Sequence, residues 1–195
     1  MNQINFTSRI HPVTLAEFGR ITSSIPTKNE VKYPWTIKDS KIASDVYTKR
    51  ICDCTAAIIS TGKEALMLHL NPEISNNHAF LQVLTFLRNN IDLTNKNLQA
   101  VIIGSKNTKK SQDIYNKFID MLAKLHIPTT EIKNGKNPTN VAYKSSNDEI
   151  IITNASIDKL LKKGQTATDS LHASFEKISI SNKDEFYTEN HFDSL

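Results

Sequence analysis

The residues best suited to chemistry lie in one stretch, ICDCTAAIISTGKEALMLHL, residues 51–70. It holds both cysteines of the chain, Cys52 and Cys54, and His69, one of six histidines. Four roles are open to such a set. A disulfide is disfavoured, because side chains at i and i+2 of an extended segment give poor bridging geometry. Structural zinc sites take four ligands, commonly in C-x2-C pairs. Here the spacing is C-x-C with no second cysteine pair, and His69, His78 and His126 follow no ligand spacing. Packing is the plain alternative, since free cysteine is among the most buried residue types. A Cys and a His at a plausible spacing are more often packing than catalysis. The fourth role is a nucleophile, with the imidazole taking the thiol proton to release a thiolate.

Nucleophile chemistry needs elements that bring sulfur and imidazole together. DVYTKRI, TAAIIS and EALMLHL read as three strands. STGK joins the last two, with Gly62 at the turn, which is a hairpin signal. Cys54 then opens one arm and His69 closes the other, so both fall at the same edge of a sheet. Cys54 is preferred to Cys52 because it stands where the loop meets the apolar strand, a place both exposed and rigidly held. NNHAFLQVLTFLRNNIDL reads as a helix, with Phe80, Val83, Leu84, Leu87 and Ile91 on one face. LQAVIIGS is a short apolar run and reads as a buried strand. NTKKSQDIYNKFIDMLAKLHI is the strongest helix signal. Its stripe is Ile114, Phe118, Met121, Leu122 and Leu125; Asn107 or Thr108 is its cap, and Pro128 marks its end. TTEIKNG, NVAYK and EIIITN read as further strands. The pattern predicts an α/β layered sandwich, a mainly antiparallel β sheet packed against helices.

The chain has 195 residues, 38% hydrophobic and 23% charged, which suits one globular domain. Its charge of +4 is scattered and does not alternate with aromatics, so nucleic-acid binding has little support. No apolar run approaches the ~18 residues that a membrane span requires. The N-terminus lacks a signal-peptide layout, so a cytoplasmic location in the producing cell is expected, with export by a route without a cleaved signal left open.

The order of features from 46 to 154 resembles the CheD chemoreceptor glutamine deamidases and, beyond them, the catalytic domains of cytotoxic necrotizing factor and related toxin deamidases. In TKRICDCTAAIIS…ALMLHL, the positions of Thr48, Cys54 and His69 match a threonine six residues before a nucleophilic cysteine and a histidine closing the next strand. LQAVIIGS is similar to the central strand of that superfamily, the following helix to its long helix, and TTEIKNGKNPTNVAYKSSNDEIIITN to its closing strands. Cys52-Asp53 stands where CheD proteins carry Gly-Ser, and a single glycine, Gly104, where they pair two.

The resemblance implies a CheD-like fold and a Cys–His protein glutamine deamidase, converting glutamine to glutamate plus ammonia through a thioester. Cys54 is then the nucleophile, His69 the base, and Thr48 the residue that orients the imidazole. It implies a protein substrate bearing a surface glutamine, no metal or organic cofactor, and a divergent bacterial effector or toxin-like enzyme. The resemblance divides the chain into an N-terminal extension (1–45), a catalytic domain (46–154) and a partly disordered C-terminal extension (155–195). Neither extension supplies an evident part of the site. The alternatives are a non-catalytic CheD-like protein-binding module, a papain-like cysteine protease and a transglutaminase. The protease is disfavoured because it places its cysteine at a helix start, whereas CTAAIIS is β-branched. Cys52 reads as packing, His78 as surface, and His126 as a cation at a helix end. Tyr33 and Trp35 read as a docking anchor, and Lys109 and Lys110 as a solvated helix turn.

Overall fold

Strands β4 (Thr55–Ser60) and β5 (Ala65–Leu70) are buried along their whole length in the computed structural model. It describes residues 10–32, 41–74, 77–104, 108–134 and 137–181. An unbroken apolar run is what a strand covered on both faces requires. The two strands form an antiparallel hairpin in which Thr55 faces Leu70, Ala56 faces His69 and Ser60 faces Ala65. Gly62 turns it in the left-handed region, φ 88°, where glycine carries no steric penalty. Strand β6 (Gln99–Gly104) adds antiparallel to β4, and β7 (Thr129–Asn134) adds parallel to β6. With β2 (Lys41–Ala43) and β10 (Phe175–Ser181) at the edges, this sheet has the order β10-β7-β6-β4-β5-β2. A second sheet, β1-β9-β8-β3, comprises Ile10–Pro12, Glu149–Thr153, Thr139–Lys144 and Asp45–Ile51.

Period-two alternation decides what each face meets. Ala56, Ile58 and Ser60 share a face with their partners His69, Met67 and Ala65. That face meets the second sheet: Ser60 Oγ lies 3.1 Å from Tyr143 Oη of β8, and His69 bonds Thr48 of β3. The opposite face takes α3 (Lys109–Lys124), which buries Ile114, Tyr115, Phe118, Met121 and Leu122. Thr108 caps α3, accepting the Ser111 N–H at 3.3 Å. Helix α2 (Asn77–Asn90) packs beside it, with Phe80 edge-on to Phe118. Helix α1 (Leu15–Ser23) covers the outer face of the second sheet, where Phe18 clusters with Tyr47, Ala142 and Ile151. Helices α4 (Ala155–Lys162) and α5 (Ala167–Ser174) lead from β9 to β10. The architecture is thus an α/β sandwich with two adjoining sheets.

The expectation of one mainly antiparallel sheet is corrected. Among the described residues there are two mixed sheets rather than one mainly antiparallel sheet, because helix α3 returns the chain parallel to β6 and β1 runs parallel to β9. The stretches 10–32 and 155–181 do not stand apart from the sheets. β1 pairs with β9, Val31 N–H donates to Tyr47 O at 2.9 Å, and β10 pairs with β7 across Thr129–Asn134. His126 is the left-handed residue that ends α3, φ 53°. Its N–H donates to Ala123 O and that of Ile127 to Leu122 O, a Schellman closure. Lys109 and Lys110 lie exposed in the first turn of α3, and Lys110 is also ion-paired with Glu73 at 3.0 Å. Tyr33, Trp35, Asn107, the His78 side chain and the chain after Ser181 lie outside the described residues.

Candidate functional site

Strand β3 approaches the β4–β5 hairpin with an irregular ladder. Thr48 faces Val141 and Ile51 faces Thr139, so Lys49 and Arg50 together oppose Asn140. The bulge carries Arg50 into the left-handed region, φ 62°, and its N–H donates to Asn140 Oδ1 at 2.9 Å. A regular strand would turn Thr48 and Ile51 to opposite faces. The extra residue brings both into the buried layer between the sheets, a common use of bulges beside functional sites.

Thr48 is fully buried, and His69 is 1% exposed. Thr48 Oγ1 lies 2.6 Å from Val31 O and 2.7 Å from His69 Nδ1. A carbonyl only accepts, so the single threonine proton goes to Val31. The hydroxyl then accepts from His69, and the proton of the neutral ring sits on Nδ1. Nε2 is left with its lone pair, the state of a general base. Burial keeps the ring neutral, lowering its pKa from 6.5 to about 4. The N-terminal stretch therefore does supply part of the arrangement, through the Val31 carbonyl.

Cys54 lies on the bend leading into β4. Extending the β4 alternation back one step puts it on the face of Ala56, diagonal to His69 across the hairpin. Such neighbours lie ~7–8 Å apart between backbones, within reach of longer side chains. Among the described residues, no hydrogen bond joins the thiol to the ring. The structure thus brings Thr48 and His69 into direct contact, with Cys54 on the bend two residues before Ala56, the strand partner of His69.

Cys54 is 7% exposed and belongs to the core, against the expectation of an exposed nucleophile. Burial raises its pKa to about 12, with further contributions from Cys52 and then Asp53. At neutral pH the thiol and the imidazole are both uncharged, and Cys52 is half-buried and also free.

Two residues fix the backbone around the thiol. A Cβ at Gly104 would stand 2.9 Å from Thr55 Oγ1 and 3.1 Å from Cys54 O, so β6 approaches this closely only through glycine. Asn134, 2% exposed, donates to Ile51 O at 3.0 Å and accepts from Thr139 Oγ1 at 2.8 Å. It ties together the end of β7, the end of β3 and the start of β8, just before Cys52. Sequence reasoning misses Asn134, which stands near the end of TTEIKNG, a run that reads as a strand and carries no chemical signal. It also misses Val31, which acts through its backbone and leaves no side-chain signal.

Among the described residues, no three His, Cys, Asp or Glu side chains cluster as a metal site, and no helix is long and apolar enough to cross a membrane. No protein-family model matches the chain, and no curated protein matches it.

Proposed function

We propose that the chain is a CheD-like protein-glutamine deamidase with Cys54 as nucleophile, His69 as base and Thr48 as the orienting residue. The observation that carries the reading is the fixed tautomer. Thr48 spends its proton on Val31 O and holds Nδ1–H of His69, which leaves Nε2 basic; the reading has the Cys54 side chain, two residues before the strand partner of His69, reach that nitrogen. In the reaction, Nε2 takes the thiol proton as sulfur attacks the carboxamide carbon of a glutamine side chain. The tetrahedral intermediate collapses, and the imidazolium gives its proton to departing ammonia. Water, deprotonated by the same nitrogen, cleaves the thioester and yields glutamate and the free thiol. Because the resting groups are neutral, proton transfer accompanies attack and no ion pair stands ready beforehand.

The test is mass spectrometry of candidate substrate proteins incubated with the chain. A gain of about one dalton at a glutamine, absent with Cys54→Ala, supports the reading, since Gln-to-Glu conversion is its product. No gain in any substrate, with Cys54 inert to alkylation, would overturn it.

One observation favours a second reading, a non-catalytic CheD-like binding module. Cys54 is almost closed to solvent, and its thiol is held protonated by burial, Cys52 and Asp53. On that reading Thr48 and His69 satisfy each other as buried polar groups.

A further inference from the structure

Helices α2 and α3 cover the six-stranded sheet on the face away from His69, and the seam between them stays open. It forms a groove of about 550 Å³. The apolar lining comes from Phe80, Leu81 and Leu84 of α2, from Met121 of α3 and from Leu125, the residue that caps α3. Leu81 is 60% exposed, the most exposed large apolar side chain among the described residues. The spacings are helical on both walls: 80, 84 and 88 on one, 117, 121 and 125 on the other. The groove therefore follows two turns of each helix, about 12 Å at 1.5 Å per residue.

The charge along this seam is one-sided. Arg88, Lys117 and Lys124 line it against a single carboxylate, Asp120. An apolar strip with mostly cationic flanks calls for an apolar strip with anionic flanks. Two turns of parallel helical ridges suit a third helix laid along them, anchored by apolar residues one turn apart. We propose that this groove docks an acidic amphipathic helix of a partner protein, with aliphatic or aromatic anchors over Leu81 and Leu84 and Asp or Glu facing Arg88 and Lys124. The site is separate from the cysteine–histidine layer, so the inference stands whether or not the chain is a deamidase.

The experiment uses the full chain and a fluorescein-labelled probe, a helical 14-residue peptide with leucines at i, i+3, i+4 and i+7 and glutamates elsewhere. Fluorescence anisotropy should give saturable binding, at least tenfold weaker to Leu81→Asp and to Arg88→Glu/Lys124→Glu. Binding should weaken with salt and fall away for the same peptide with lysines in place of glutamates. All substituted side chains are exposed, and an unchanged thermal melt would keep folding out of the result. Several outcomes overturn the proposal. These are no binding, binding indifferent to Leu81→Asp, equal binding of the lysine peptide, and capture only by anionic phosphatidylserine vesicles. Tighter binding by a peptide of residues 182–195 would give the groove to the chain's own terminus. Self-association abolished by Leu81→Asp would give it to a second copy. Either result would also overturn the partner reading.

Discussion

The two ends of the β4–β5 hairpin carry two polar clusters between the same two sheets, one fully buried and one half-buried at Asp148, and they resolve their protons in opposite ways. At the turn end, Ser60 and Tyr143 both donate to Asp148 Oδ1, at 2.8 and 3.0 Å, and Gly62 N–H donates to Ser60 Oγ at 3.1 Å. A carboxylate receives both hydroxyl protons there, and the result is a clamp between sheets. At the open end, the threonine proton goes to a main-chain carbonyl and the acceptor is spent on a ring N–H. The imidazole keeps a basic nitrogen. The hydroxyls are comparable; what differs is where the charge can reside. A cluster ending in a carboxylate stabilises the fold, whereas one ending in an imidazole retains a group able to accept a proton.

The largest effect that would sharpen this contrast is at the clamp. Asp148→Ala removes the acceptor that Ser60 and Tyr143 share, at a cost of about 1–3 kcal/mol, and puts alanine at φ 51°, at a further cost of about 1–2 kcal/mol. The expected loss is roughly 4 kcal/mol in urea unfolding, with thiol reactivity at the far end unchanged once the fraction folded is matched. Asp148→Asn keeps an acceptor oxygen and tolerance of the left-handed backbone (φ 51°), so it should lose about 1 kcal/mol. Equal losses in the two variants would break the account of the clamp.

Next in size is a pH effect from the open end. His69 has a folded pKa of about 4 against 6.5 in the unfolded chain. The unfolded chain therefore takes up the proton first as pH falls. The contribution is complete above pH 6.5, declines between 6.5 and 4, and amounts to roughly 3 kcal/mol. Urea midpoints measured from pH 7.5 to 4.5 should fall more steeply in the wild type than in His69→Leu. Parallel slopes would mean that the ring is not held neutral by burial.

A smaller loss is expected at Gly104. Its added methyl in Gly104→Ala meets Thr55 and the Cys54 carbonyl at 2.9–3.1 Å. Overpacking of this kind costs about 2 kcal/mol. The strain falls on the backbone that carries Cys54, so alkylation of Cys54 should change rate in this variant. A change in stability with no change in that rate would separate Gly104 from the site.

The legible parts of this molecule are those whose cause is local. The β4–β5 hairpin follows from two apolar runs flanking Gly62. Helix α3 follows from Ile114, Phe118, Met121 and Leu122 on one stripe and a Thr108 cap. Its bounds come within a few residues of the expected ones. The sorting of strands into two sheets is not local. Nothing between Asn134 and Thr139 announces that the chain leaves one sheet for the other there. Strand β10 is hidden because a register shift between Phe175 and Lys177 breaks its alternation. At the site, the Thr48, Cys54 and His69 side chains can be read from their types and order. The Val31 carbonyl, the Arg50 bulge and the Asn134 tie cannot, since they act through backbone positions set by distant pairing.

The most direct test of the central claim, that Thr48 and His69 leave a base serving Cys54, is the rate of iodoacetamide alkylation at each cysteine, resolved by peptide mass spectrometry under native conditions at pH 7. The account predicts that Cys54 is alkylated despite its burial. It further predicts a roughly tenfold or greater slowing in His69→Ala and a smaller slowing in Thr48→Val, while Cys52 is unaffected by either change. A Cys54 that reacts only on unfolding, or at a rate indifferent to His69, would contradict it and leave Thr48 and His69 as a buried polar pair of the core.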